Sequence, residues 1–465
     1  TLIVPRMVNH AERLELAERL VGAMSDLAAG RTEPMWELIH DGLTESTRRF
    51  PLWAVLGTSE FMDVYRENVP TLGMSLSDLF WCLRDFFSLA YAVLHERMPR
   101  ARVYHAHTTG YAALLAANAA EENDARFLLT EHNLYVRDTV NTLLDRRMDK
   151  KVTLRDYRTF DVSAEERAWM AWWIEMGRFC YPSTDRITYL YPKALEEARG
   201  LDAPVDDPGR VSILPNGTVL SEFNEQYALR LEETQRIAAL TPEGAARRTW
   251  KLVFIARVVP IKGLADLLDA LHLLISRGVE DFTLDVLGPT DHVPEYYELC
   301  RQKIEELHLE RWVSFRGTVD VRAQLGRYDL LLMPSYNEGQ PVVALEAMSA
   351  GIPVIGSDVG GMSQLIDDEL THPDGRTWQG CGVLTRPGDA PMLADAVAGV
   401  ISDPARYARL AASARGRVEG FFQLSDVMAR YNDLYRELGG FPSVEQRVLS
   451  GELSGQRARR ALEIR

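Results

Sequence analysis

Apolar positions along this chain follow two different rhythms. From residue 9 to about 100 they recur at helical spacing. Leu14, Ala17, Leu20, Val21 and Met24 share one stripe, and Leu79, Leu83, Phe86, Phe87 and Ala90 share another. Beyond that point short apolar runs alternate with amphipathic stretches. The pattern predicts strands at 102–105, 126–131 and 187–190, and helices at 109–120, at 164–178 (rich in tryptophan) and from 192 onward. The stretch 201–210, LDAPVDDPGR, is dense in Pro, Asp and Gly and reads as a hinge. After it the alternation is cleaner. Strands are predicted at 252–256, 283–287, 313–315, 330–333, 353–355 and 383–384, with helices at 264–276, 294–307, 341–350 and 390–401. Helices at 403–418 and 424–437 and a charged tail close the chain.

Short apolar strands alternating with helices imply parallel sheets covered on both faces. The expected fold class is therefore α/β, with two Rossmann-like lobes, a cleft between them and a helical segment at the N-terminus. The expected spans are 1–205 for the first lobe, 206–423 for the second, and 424–465 for a last helix, packing back toward the first lobe, plus the tail. Lobes of this kind bind ligands beyond the carboxyl ends of their strands.

Composition narrows the function. The chain has 465 residues, 46% hydrophobic and 26% charged, with a formal charge of −15. Such a balance lacks the basic footprint of a nucleic-acid binder, so no nucleic-acid partner is expected. Cys82, Cys180, Cys300 and Cys381 lie far apart, without metal-ligand or redox spacing. A reducing compartment without structural zinc is expected. The longest apolar stretch, 79–94, contains Arg84 and Asp85 and is shorter than the ~20 residues that span a bilayer. With no secretory leader at its start, the chain reads as cytoplasmic, and docking on a membrane protein stays open.

Three segments carry candidate chemistry. The first is Ser335-Tyr-Asn-Glu338-Gly339-Gln340-Pro341-Val342-Val-Ala-Leu-Glu346, which follows the apolar run 330–333. Pro341 suits the first turn of a helix, where a missing N–H costs nothing. Free amides at such a start, with the positive end of the helix dipole, attract sugar hydroxyls and phosphate. Glu338 before the helix and Glu346 inside it are spaced to hold opposite ends of one elongated ligand. The plainer alternative, a helix cap and a solvated face charge, fits Glu346 less well between Leu345 and Ala347. The second segment is Leu252-Val-Phe-Ile-Ala-Arg257-Val-Val-Pro-Ile-Lys262-Gly263. Two cations past a strand suit a diphosphate, arginine as a planar fork and lysine as a point charge. Taken alone, two exposed basic loop residues would explain it equally. The third comprises Tyr104-His105-Ala-His107 and Leu129-Thr-Glu-His132-Asn133. His105 and His107 share one face of an extended segment. No companion ligand completes a metal site, so none is expected.

Together the Arg257/Lys262 pair, the Glu338-x7-Glu346 spacing, the Ile213-Leu-Pro-Asn216-Gly217 turn and the Asp358-Val-Gly360-Gly361 turn resemble glycosyltransferase family 4, of the GT-B fold. LTEHNLY, the tryptophan-rich stretch before YPSTDRI, and EGQPVVALEAM are similar to its PelF-like subgroup, which serves exopolysaccharide synthesis. The likeness covers about residues 100 to 437. It implies a retaining transfer from a nucleotide-sugar, a UDP-sugar by subgroup, to a saccharide or other hydroxyl acceptor. The nucleotide-sugar is a co-substrate, and no metal or cofactor is implied. By the resemblance Arg257 and Lys262 bind the departing diphosphate. Glu338 lies beside the donor sugar, with Gly339, Gln340, Pro341 and Val342 holding its hydroxyls. Glu346 binds the ribose, His132 touches the transferred sugar, and His107 and Asn216 line the pocket. Same-face attack assisted by the leaving phosphate requires no enzyme nucleophile. The family opens with a strand and a Gly-rich loop, whereas here TLIVPRMVNH leads into helix and no Gly-Gly precedes Gly360. The first lobe is thus expected to lack that opening segment. The charged segment 137–160 receives no ligand. Two rival readings are a non-catalytic nucleotide-sugar-binding subunit and a nucleotide-sugar epimerase.

Overall fold

The structure, a computed structural model, describes residues 9–29, 31–39, 55–69, 73–143, 162–372 and 375–442. Most of the charged segment 137–160, the opening residues 1–8 and the tail from 443 therefore lie outside the described residues. The chain divides into two compact units. One comprises Thr1–Ile213 with Tyr435–Phe441, the other Leu214–Leu434 with Pro442–Arg465.

The first unit begins with helices, as the periodicity predicts. They span His10–Ala28, Glu33–Ile39, Ser59–Asn68 and Leu76–His95. Asn9, Thr58 and Ser75 cap three of them, each accepting a backbone N–H through its side chain. Their apolar stripes bury Ala17, Leu20, Val21, Phe61, Leu83 and Phe86. The helix Ala164–Cys180 starts with a capping box built from Ser163 and Glu166 and buries Trp172 and Trp173 against Phe86. Next to these helices lies a four-stranded parallel sheet in the order β1 (Val103–Ala106), β2 (Arg126–Glu131), β3 (Arg186–Tyr189), β4 (Val211–Ile213). β4 was not legible in the sequence: three half-buried residues after a Pro/Asp/Gly stretch carry no apolar run. The 201–210 stretch itself buries Leu201, Ala203 and Val205 in this unit's core.

The second unit holds a six-stranded, wholly parallel sheet of β5 (Trp250–Ile255), β6 (Phe282–Leu287), β7 (Val313–Gly317), β8 (Leu330–Met333), β9 (Val354–Ser357) and β12 (Gly382–Thr385). A separate short hairpin pairs β10 (Leu370–Thr371) with β11 (Thr377–Trp378). The order β12-β9-β8-β5-β6-β7 is that of a doubly wound, dinucleotide-binding type of sheet, in which winding reverses between β5 and β8. Helices Leu264–Ser276, Pro294–Glu306 and Ala390–Ile401 pack their apolar stripes on one face, against Leu252, Phe254, Leu284 and Val286. Helix Val342–Ser349 joins the core of the other face with Val253, Leu331 and Val354. One buried ionic knot secures the floor of this unit. Asp329, fully buried, accepts from Arg230 and Arg248 and from the Lys251 amide. Such a group, paired on every side, resists the loss of any one partner by several kcal/mol, on the order of 3–5.

Candidate functional site

The winding reversal between β5 and β8 leaves a crevice at the carboxyl ends of those two strands, where such sheets place their ligands. Both cations of the second sequence segment and both acids of the first are carried there. After β5 the chain passes Arg257, then a single turn Pro260–Lys262, and enters the helix Leu264–Ser276 through Gly263. After β8 it passes Pro334 to Gln340 and enters the helix Val342–Ser349. The two loops are tied together, because the Tyr336 amide donates to the Ile261 carbonyl at 2.8 Å. Gly263 has φ +69°, and a Cβ there would lie 2.0 Å from the Pro334 carbonyl oxygen. Only glycine allows that approach.

At the centre Lys262 Nζ sits 2.6 Å from Glu338 Oε1, with both side chains largely buried. Ser335 Oγ donates to the same oxygen at 2.7 Å. A lysine ammonium has three donors, so this contact leaves Lys262 two for a ligand. Arg257 is exposed and makes no ion pair among the described residues. The backbone on either side of it is held, since the Val258 amide donates to the Pro289 carbonyl and the Ala256 amide to Leu287. Helix Val342–Ser349 starts one residue later than the pattern predicts, with Pro341 in extended conformation at the position before it. Of its first-turn amides Ala344 donates to the Pro341 carbonyl at 3.2 Å, and the helix dipole presents positive charge at that end.

The loop that carries Glu338 is clamped from behind. The Gly361 amide donates to the Gly339 carbonyl at 2.6 Å. Gly360 has φ +54°, and a Cβ on it would fall 1.8 Å from the Glu338 carbonyl oxygen. Gln340, buried, is fixed by the Asn216 backbone and side chain on one side and by Gln364 at 2.7 Å on the other. Asn216 thus meets the motif through Gln340. Glu346 is largely buried, and Arg322 Nε lies 3.2 Å from its Oε1. Arg322 also pairs with Glu222, and the Glu346 contact raises its pKa. Arg322 escaped sequence reasoning: it lies 24 residues before Glu346, in a loop with no local pattern.

In the first unit the three histidines gather at the ends of β1 and β2. The rings of His105 and His107 are 4.2 Å apart, and His107 Nδ1 lies 3.1 Å from His132 Nε2. His105 bridges Thr130 at 2.7 Å and Tyr435 at 2.6 Å. Burial, then the neighbouring His107 and His132, push the His105 pKa down to about 4. Burial and His107 lower that of His132. Both imidazoles are therefore neutral at pH 7, each with one donor and one acceptor. Behind them Glu131 is 1% exposed and accepts from Thr109 and Tyr181. Burial pushes its pKa up to about 7. Nothing in LTEHNLY distinguishes this buried acid from a surface one. Among the described residues no cluster of His, Cys, Asp or Glu is arranged to hold a metal ion, and no helix is long and apolar enough to cross a membrane.

Residues 249–403 match the family model described as glycosyl transferases group 1, and residues 3–206 match a domain of unknown function, DUF3492. A D-inositol 3-phosphate glycosyltransferase of Jonesia denitrificans is 32% identical over 188 residues, 38% of this chain and 43% of that protein. An N-acetyl-alpha-D-glucosaminyl L-malate synthase of Bacillus anthracis is 28% identical over 263 residues, 56% of this chain and 62% of that protein. The match thus spans less than two thirds of each of these relatives. Among solved structures, the sucrose-phosphate synthase of Thermosynechococcus elongatus superposes with a TM-score of 0.54 at 19% identity, covering 85% of this chain and 82% of the other. HepE of Anabaena, in complex with UDP and glucose, superposes at 0.52 and 17%, covering 75% and 79%. The fold is GT-B.

Proposed function

We propose that this chain, whose residues 249–403 are a glycosyltransferase group 1 domain within a GT-B fold, transfers a sugar from a UDP-sugar to a hydroxyl acceptor with retention of configuration. The observation that carries this reading is the Lys262–Glu338 pair at the β5/β8 reversal, with Ser335 on the same oxygen and Arg257 exposed in the loop that follows β5. In the proposed mechanism Arg257 and the two remaining Lys262 donors take the diphosphate and stabilise the charge that builds on it as the sugar leaves. Glu338, held by Lys262 and Ser335, faces the reacting sugar, and the amides of Gly339, Gln340 and Val342 hold its hydroxyls. Glu346, oriented by Arg322, takes the ribose through its second oxygen. Neutral His132, backed by His107, suits a sugar hydroxyl better than a charged imidazolium would. The departing phosphate accepts the acceptor's proton, so no side chain serves as nucleophile, and transfer proceeds without a divalent metal.

The identity of the nucleotide rests on the resemblance to the PelF-like subgroup and on the UDP held by HepE, which shares the fold. The same resemblance supports a role in exopolysaccharide synthesis, with a cytoplasmic location beside a membrane synthase. Calorimetry with UDP and a UDP-release assay with a panel of UDP-sugars test the proposal together. UDP should bind, raising the melting temperature as any native-state ligand does. At least one UDP-sugar should be turned over in EDTA, with the product anomer matching the donor by NMR. Absence of UDP binding would remove the donor assignment. Binding without turnover of any sugar would leave a nucleotide-sugar-binding subunit instead.

A further inference from the structure

The second unit's sheet is unevenly covered. Along β5, β6 and β7 one face is packed under helices. On the other face the outer halves of these strands present polar side chains: Lys251 pairs in register with Thr283, and Asp285 with Ser314. Farther along the same face Val253 and Leu287 are buried again, in the core that includes the helix Val342–Ser349. The part that the described residues leave uncovered is a concavity of about 510 Å³, bounded also by Arg311, Trp312, Gln324, Arg327 and Tyr328. That volume lies within the ~300–1,000 Å³ of small-molecule sites.

Its charge is not balanced. Asp285 is the one carboxylate among the lining residues, and both its oxygens are engaged, Oδ1 by Arg316 at 2.9 Å and Oδ2 by the Tyr328 hydroxyl at 3.0 Å. Lys251, Arg311 and Arg327 make no ion pair among the described residues. Arg311 lies over the Trp312 ring, 5.4 Å from its centroid, and the indole is anchored by donating to the Glu280 carbonyl at 2.8 Å. Three cations that make no ion pair among the described residues thus line one hollow of a chain whose net charge is −15. Guanidinium forks suit phosphate oxygens. Thr283, Ser314 and Gln324 add hydroxyl and amide partners, and the aromatic edges add apolar contact. The combination fits a polyhydroxylated phosphate ester better than a bare anion.

We infer that this concavity is a second ligand site, which binds a sugar phosphate at the opposite end of the strands from Arg257. Lys251 lies six positions before Arg257 along β5 and its extension, on the order of 20 Å away. The site therefore does not overlap the proposed donor site and stands whether or not that proposal holds.

Calorimetry on the full chain tests it, with α-glucose 1-phosphate as the probe and UDP at saturation so that the donor site is filled. One equivalent should bind, at least 10-fold more tightly than inorganic phosphate, and glucose should give no heat. Lys251→Ala with Arg311→Ala should weaken binding at least 10-fold, whereas Lys262→Ala should not change it. Both replaced side chains are exposed; should the double variant nevertheless melt lower, Arg311→Gln alone should still weaken binding. No binding by the wild type, or equal binding by the double variant and Arg311→Gln, would overturn the site. Loss in Lys262→Ala would relocate the ligand to the donor site and overturn it as well. Equal affinity for inorganic phosphate would refute the sugar.

Discussion

Glu338 meets Lys262 and Ser335 through a single oxygen, so these three side chains act as a unit. Removing Lys262 deletes one phosphate contact and also leaves a largely buried carboxylate without its counter-ion. Removing Arg257 deletes a contact from the solvent side only. Both alanine variants should lose kcat/KM by about 30- to 1000-fold, or ~2–4 kcal/mol, with Lys262→Ala the more severe. Unchanged kcat/KM in both would remove the diphosphate assignment. The two acids should fail differently. Glu346, held by Arg322 at the end assigned to ribose, contributes to ground and transition states alike, so Glu346→Gln should raise KM more than it lowers kcat. Glu338→Gln should lower kcat more. Steady-state kinetics on the pair decide, and matching profiles would erase the distinction. At this scale the sequence was informative about residue type and spacing but silent about partners. Lys262 and Glu338 are 76 positions apart, and only folding makes them a pair.

At the scale of elements, the loops past β5, β8 and β9 hold one another at backbone distance. Gly360 is the tightest of these contacts, since a methyl group would meet the Glu338 carbonyl at 1.8 Å while φ is +54°. Gly360→Ala should therefore destabilise the protein by more than ~3 kcal/mol or displace the Glu338 loop and lower kcat/KM by at least ~10-fold. Gly278→Ala is the matched control. Its φ is +82°, but nothing lies within 4 Å of the added carbon, so it should cost only the ~1–2 kcal/mol of the left-handed backbone and leave kinetics intact. Urea denaturation and kcat/KM on both variants test the contrast, and equal effects would mean that the contact is unimportant. Most elements were predictable here. Helices 264–276 and 390–401 and strands 126–131 and 330–333 fall where the apolar period puts them. The short β4 and the helix Asn224–Ala238 did not, the latter because its buried positions include the polar Gln226 and Arg230, which no apolar count registers.

For the molecule as a whole, two perturbed groups at the ends of β1 and β2 contribute to the dependence of stability on pH. Glu131 has its folded pKa raised to about 7, so the native state keeps a proton that an unfolded glutamate releases near 4.5. Its favourable contribution is complete below that value and is lost as pH rises toward 7, an effect on the order of 2–3 kcal/mol. His105, lowered to about 4, acts with the opposite sign: its contribution is complete above about 6.5 and is lost as pH falls through 4. The two trends overlap and partly cancel in the wild type. Glu131→Gln isolates one of them. Its stability relative to wild type should rise by about 3 kcal/mol between pH 4 and pH 8, measured by urea denaturation, whereas a constant difference would show that Glu131 ionises normally.

The sequence by itself determined the class of fold, the alternation of strand and helix in the second lobe, and the residue types of the proposed diphosphate and sugar site. Each of these is written locally, in apolar periodicity, in glycine and proline placement, and in acids spaced along one helix start. The tertiary structure decided which of those residues meet. It joined Lys262 to Glu338, set Arg322 on Glu346, buried Glu131 beside the histidines, and left three cations that make no ion pair among the described residues around one face of β5 to β7. The physical reason is the same in each case. Burial and pairing depend on which strands become neighbours, and in this sheet the neighbour of β5 is β8, some 75 residues away along the chain.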